Sequence, residues 1–131
     1  MIGLDTNVLL RVFVDDEPKQ VAAVRRFVER AAPDGLFISD LVLAETVWTL
    51  ARRFRAKKDR VVEVLRQLLE RAEFVFENRH DFRAALRAFA SGRVDFADCL
   101  IAMRSRRLGV ATTVSFDEDA IEAGLFAPVP S

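Results

Sequence analysis

Apolar residues fall along the chain in two alternating patterns. Short unbroken runs, MIGL at the N-terminus, LFIS from Leu36, FVFE from Phe74 and VATTVS from Val110, read as strands buried on both faces. Between them lie longer segments with helical spacing. TNVLLRVFV has Thr6 and Asn7 as cap candidates, and DDEPKQVAAVRRFVERAA starts with Asp16 as N-cap and Pro18 in its first turn. Its Val21, Val24, Phe27 and Val28 recur at i, i+3, i+6 and i+7, which makes one apolar stripe. Asp40 and Asp59 are positioned to cap two further helices, LVLAETVWTLARRFRAKK and RVVEVLRQLLERA. Three more helical stretches end near Gly92, Gly109 and Gly124, residues suited to close a helix. Strands alternating with helices predict an α/β fold with a mostly parallel sheet covered on both faces. Ligands in such folds bind beyond the carboxyl ends of the strands, so chemistry is sought just after each apolar run.

With 131 residues and no Gly/Ser-rich linker, the chain reads as one domain spanning 1–131. Half of its residues are apolar and 31% are charged, an ordinary globular balance. Lys+Arg and Asp+Glu both number 20, so any nucleic-acid surface must arise from segregation of charge and not from its sum. The single cysteine, Cys99, excludes an internal disulfide and a multi-cysteine metal site and fits a reducing compartment. Asp5 stands in the first five residues, which does not read as a signal peptide, and no uncharged stretch reaches the ~20 residues of a membrane span. A cytoplasmic protein with no membrane association is expected.

Four acids stand in apolar company. Asp5 ends the first strand, Glu45 is the sole charge in LVLAETVWTLA, Asp98 is the sole charge in FADCLIAM, and Asp117 follows the fourth strand. Each falls at or just past the expected carboxyl edge, so the four are candidates for one crevice, with Asp95 one helical turn before Asp98. Several close carboxylates cannot all stay ionised unaided, whereas a divalent cation makes the cluster favourable. Oxygen donors without a Cys/His set favour Mg²⁺ or Mn²⁺, and Thr6, Asn7, Ser39 and Thr113 are able to orient the carboxylates or bound water. Taken singly, Asp5 reads equally well as a helix cap, Asp95 and Asp117 read first as caps or first-turn acids, and the structural alternative for Glu45 is a solvent-facing or arginine-paired residue.

DTNVLLR, SDLVLAETVW, VDFADCLIA and TTVSFDED occur in the order found in PIN-domain ribonucleases. Among those the chain most resembles the VapC toxins of bacterial toxin–antitoxin pairs. The resemblance implies a three-layer α/β/α sandwich, Mg²⁺- or Mn²⁺-dependent hydrolysis of RNA leaving 3′-hydroxyl and 5′-phosphate ends, a homodimer, and neutralisation by a cognate antitoxin. It maps the acidic positions onto Asp5, Glu45, Asp98 and Asp117, with Asp119 as the fallback for the last, and adds Ser115 to the supporting polar groups.

An acidic pocket needs basic residues to guide phosphate to it. ARRFRAKKDR supplies Arg52, Arg53 and Arg55, and RSRR supplies Arg104, Arg106 and Arg107; Arg11 follows Asp5 closely. Each also reads as ordinary helix-end or ion-pair chemistry. The two helices after the second strand, with Val42, Trp48, Leu50, Phe54, Val62, Leu65 and Leu69, carry more apolar surface than one sheet face covers, an excess suited to an antitoxin segment or a second subunit. Trp48 itself is expected in the core, and with no tyrosine and most phenylalanines on apolar stripes, base stacking finds no obvious residue. Two other functions compete. A haloacid-dehalogenase-like phosphatase requires an aspartate two residues after Asp5, where Asn7 stands; a non-catalytic protein-binding module requires only a degenerate acidic site. A response-regulator receiver is excluded because no lysine follows Lys58.

Overall fold

The computed structural model describes residues 1–131. The chain divides into two compact units, residues 1–79 and 80–131.

In the first unit, strand β1 (Ile2–Gly3), β2 (Leu36–Ile38) and β3 (Phe74–Phe76) pair in parallel in that order, with Ile2 opposite Leu36 and Leu36 opposite Phe74. Parallel pairing requires crossover connections, and helices provide them. They are α1 (Thr6–Phe13) and α2 (Pro18–Ala31) between β1 and β2, then α3 (Asp40–Arg52) and α4 (Lys58–Glu70) between β2 and β3. The central β2 buries Leu36 and Ile38 completely, and the core around it includes Leu9, Leu10, Leu43, Leu65 and Leu68. β1 is an edge strand, which leaves Met1 and Ile2 exposed where a strand covered on both faces was expected.

Trp48 departs furthest from expectation. It is 62% exposed, while its helix neighbours Thr46, Val47 and Leu50 face inward. Those buried positions complete the core-facing stripe of α3, and the indole projects from the opposite side.

The second unit holds α5 (Arg79–Ser91), whose first residue belongs to the preceding unit, then α6 (Phe96–Arg107), β4 (Val114–Ser115), α7 (Glu118–Glu122) and β5 (Ala127–Pro128). Phe96 meets Phe82 and Phe89 edge-on, with ring centroids 6.0 and 5.8 Å apart. The buried Asp81 accepts from Arg107 Nε at 2.6 Å, which ties α5 to α6. Gly109 and Gly124 adopt φ +87° and +78° after α6 and α7, the left-handed conformation that ends a helix. The fourth strand is shorter than VATTVS and pairs in parallel with β5, forming a two-stranded sheet. β5 carried no strand signal, since Pro128 brings no backbone donor.

Helix starts differ from expectation by one or two residues. Ser39, not Asp40, caps α3 by accepting from Val42 N–H at 3.1 Å; Glu17 and Lys57 precede α2 and α4 in place of Asp16 and Asp59. α3 ends in a turn closed by Ala56 N–H to the Leu50 carbonyl at 2.9 Å, with Arg55 at φ +52°. A side chain in that region costs about 1 kcal/mol relative to glycine. Arg55→Gly is therefore expected to raise unfolding free energy by about 1 kcal/mol in urea titration; an unchanged or lower midpoint would show the turn to be unstrained.

Candidate active site

Each candidate carboxylate stands where a strand gives way to a helix or in the first turns of one. In the first unit, Asp5 follows β1 and caps α1, its Oδ1 accepting from Val8 N–H at 3.0 Å. The capping role weighed for Asp5 is thus real. It engages one oxygen and directs the exposed carboxylate along the helix N-terminus, where the macrodipole favours negative charge. Thr6, buried at the first position of α1, donates its hydroxyl to Glu45 Oε1 on α3. That bond links the first acidic motif to the second across 39 residues. Asn7 is exposed, and its carbonyl accepts from Arg11 Nη1 at 3.3 Å.

Glu77, directly after β3, was not among the expected site residues. Its Oε1 accepts from Asp40 N–H at 2.9 Å and so fixes the start of the helix that carries Glu45. Its place at a strand's carboxyl end was the signal that could have found it.

In the second unit, Asp95 is the N-cap residue of α6 and Asp98 lies in that helix's first turn. The Asp98 carboxyl is raised above its ordinary value of 3.8, first by burial, then by the negative charges of Asp117 and Asp95. Asp117 caps α7 through Oδ1 at 2.9 Å from Ala120 N–H, and its own N–H donates to Ser115 Oγ at 2.9 Å. Ser115 therefore orients the acid beside Asp98. Thr113 contributes its carbonyl to Ala127 N–H at 2.9 Å and holds β5. Asp119 lines a 580 Å³ open cavity with Glu122 and Arg93, whereas Asp117 is the acid whose field reaches Asp98.

Several basic residues serve the fold. Arg11, with only 10% of its side chain exposed, lies 3.7 Å from Asp16, the ion-pair alternative to a phosphate contact. Arg106 donates to the Gly124 carbonyl at 2.7 Å, and Arg107 holds Asp81. Arg52, Arg53 and Arg55 are exposed at the end of α3.

The donors gathered in each unit are carboxylate and hydroxyl oxygens. Cys99 is buried and His80 exposed at the start of α5, so a soft nitrogen–sulfur set is not offered. Oxygen donors with mutually repelling charge fit a hard divalent cation such as Mg²⁺ or Mn²⁺. No group of three or more His, Cys, Asp or Glu side chains stands ready to hold a metal ion.

The PIN-domain family model matches residues 2–124, nearly the whole chain and across both units. The chain belongs to the PIN-domain family. It is also 29% identical over 115 residues to the VapC ribonuclease of Aquifex aeolicus (strain VF5), covering 86% of this chain and 84% of that one. The family read from the four motifs is the family found, and the α/β class with a parallel sheet is the one observed. No helix of this PIN domain is long and apolar enough to cross a membrane.

The repulsion at Asp98 has a measurable sign. A carboxyl raised on folding binds its proton at higher pH in the folded chain than in the unfolded one. Stability therefore falls as pH rises through the interval above 3.8 and stays reduced at neutrality. In EDTA, Asp98→Asn is expected to raise the thermal midpoint at neutral pH, and the gain should vanish as pH falls below 3.8, where both states are protonated. Midpoints measured from neutral to acid pH check this; a neutral-pH midpoint at or below the parent's would remove the repulsion.

Proposed function

We propose that this PIN domain, taken as one functional domain over 1–131, is a Mg²⁺- or Mn²⁺-dependent endoribonuclease. On this reading it is the toxin of a toxin–antitoxin pair, works as a homodimer in the cytoplasm and is neutralised by a cognate antitoxin. The observation that carries the chemistry is Asp98, a partly buried carboxylate beside the negative charges of Asp117 and Asp95. An arrangement that disfavours its own ionised form without a cation is what a metal-dependent acid site requires. The similarity to the Aquifex aeolicus VapC ribonuclease supplies RNA as the substrate class. Family membership also displaces the haloacid-dehalogenase alternative, whose required acid is replaced by Asn7.

The proposed ligands are Asp5, Glu45, Asp98 and Asp117. A divalent ion held there would neutralise charge at the phosphodiester and lower the pKa of an attacking water. The chain's own part is orientation. Asp5 is aimed by its cap bond, leaving Oδ2 outside it. Glu45 is held by the Thr6 hydroxyl, and Asp117 is set by the bond from its N–H to Ser115. Hydrolysis breaks the bond between phosphorus and the 3′ oxygen, giving 3′-hydroxyl and 5′-phosphate ends. Ser39 and Glu77 act at one remove, by fixing the first turn of the helix that presents Glu45.

Labelled RNA incubated with purified protein in Mn²⁺ or EDTA tests this reading. Cleavage is expected only with the metal. Asp5→Asn and Asp98→Asn should each lower the rate by about 100-fold or more, exceeding the roughly 10–100-fold typical of outer partners. Thr6→Val should fall in that lower range, and Thr6→Ser should recover. Equal cleavage by parent and aspartate variants would assign the activity to a contaminant; a folded parent that cleaves no RNA would favour the binding-module alternative.

A further inference from the structure

The exposed side of α3 carries Leu41, Glu45, Trp48 and Arg52 at i, i+4, i+7 and i+11, a single stripe along the helix. Trp48 is 62% exposed and stands one helical turn from Glu45, the acid held by Thr6. Residues three apart on a helix bring their Cβ atoms to about 5–6 Å. Immediately beyond Trp48 the chain exposes Arg52, Arg53, Arg55 and Lys57, with the Arg53 guanidinium over the Phe54 ring at 5.2 Å, while Arg60 donates to the Phe13 carbonyl at 3.4 Å. Tryptophan and arginine are both enriched at protein interfaces, so the indole alone does not choose the occupant; the run of cations after it and the carboxylate one turn before it do. The combination is well matched to an extended polyanion with unstacked bases, because bases stack on aromatic side chains while cations track the phosphates.

We infer that Trp48 is the stacking platform for an unpaired base of the RNA substrate and that the Arg52–Lys57 segment holds the phosphates next to that base. The assignment rests on the ribonuclease reading and adds a positioning residue to it. Trp48 touches no reacting atom; it sets which nucleotide lies beside Glu45. The occupant is RNA by charge complementarity, and a second copy of the chain on the same stripe is the competing outcome.

Trp48 is the sole tryptophan, so its fluorescence reports the proposed contact directly. With Asp98→Asn in EDTA to prevent turnover, a short single-stranded oligouridylate should quench that fluorescence saturably, and the same strand annealed into a duplex should not. Replacing Arg52, Arg53 and Arg55 by alanine should shift saturation to higher RNA concentration and flatten its salt dependence. In the active protein, Trp48→Ala should raise KM roughly 5- to 100-fold with a smaller change in kcat. Trp48→Phe should largely restore KM, Trp48→Leu should not, and Leu41→Ala should stay near the parent. Rescue by leucine as complete as by phenylalanine, or equal damage from Leu41→Ala, would overturn the proposal in favour of an apolar protein contact. So would an emission blue shift that grows with protein concentration and ignores RNA. Metal-dependent cleavage with Trp48 silent to bound RNA sinks this inference and leaves the nuclease standing; a parent that neither binds nor cleaves RNA sinks both.

Discussion

Parallel strand pairing is the constraint from which the site's components follow. Strands that run the same way end at the same edge, and each must be followed by a crossover helix that begins there. β1, β2 and β3 obey this, and their carboxyl ends hand over to Asp5, to Ser39 and Asp40, and to Glu77. A helix start offers unpaired amide N–H groups and the positive end of its dipole. An acidic or hydroxyl side chain at that point satisfies backbone donors, so the same geometry that builds the fold selects oxygen-bearing residues where chemistry is to be done.

Asp5 and Asp117 show how a capping carboxylate leaves room for a second role. Each caps a helix through Oδ1, at 3.0 and 2.9 Å, and each belongs to the acidic set read from the sequence. Capping and ligation were weighed as alternatives, yet a carboxylate has two oxygens and about four lone-pair sites, so the first role does not exhaust it. A cap bond to a backbone amide also removes rotational freedom that a free surface aspartate keeps. Asp98 differs: it is disfavoured by burial and by two neighbouring negative charges. A group held against its own electrostatic preference signals function more strongly than one that merely stabilises a helix.

The legible part of the molecule was its periodicity. Leu36–Ile38 and Phe74–Phe76 are strands because short β-branched and aromatic runs between helices have few other uses, and Gly109 and Gly124 close helices because their backbone is left-handed there. Cap positions slipped by one or two residues because Ser39, Asp40 and their neighbours are all acceptable caps in isolation; the Glu77 bond to Asp40 N–H comes from 37 residues away. The Asp81–Arg107 bond is invisible for the same reason, since neither residue stands out within its own helix. Trp48 was misplaced because composition assigns indoles inward, while facing is decided by helical phase: Leu43, Val47 and Leu50 already fill the buried stripe of α3. The order of the four acids along the chain was legible; which of them Thr6 and Ser115 would engage was not.

A formal charge of zero conceals local runs of like charge. Acids gather where strands end, and the richest basic run follows α3, where the helix's negative pole already favours cations. Dipole compensation alone explains basic residues in the last turn of α3, such as Arg52. It does not explain Arg53, Arg55, Lys57 and Lys58 continuing past the helix, nor Arg55 being kept at φ +52° where glycine would sit without strain. On the proposed ribonuclease reading, zero net charge limits long-range attraction to RNA, and binding would rely on this local run of cations and on contacts indifferent to salt. An exposed indole one turn from Glu45 is the residue of this chain best able to supply such a contact.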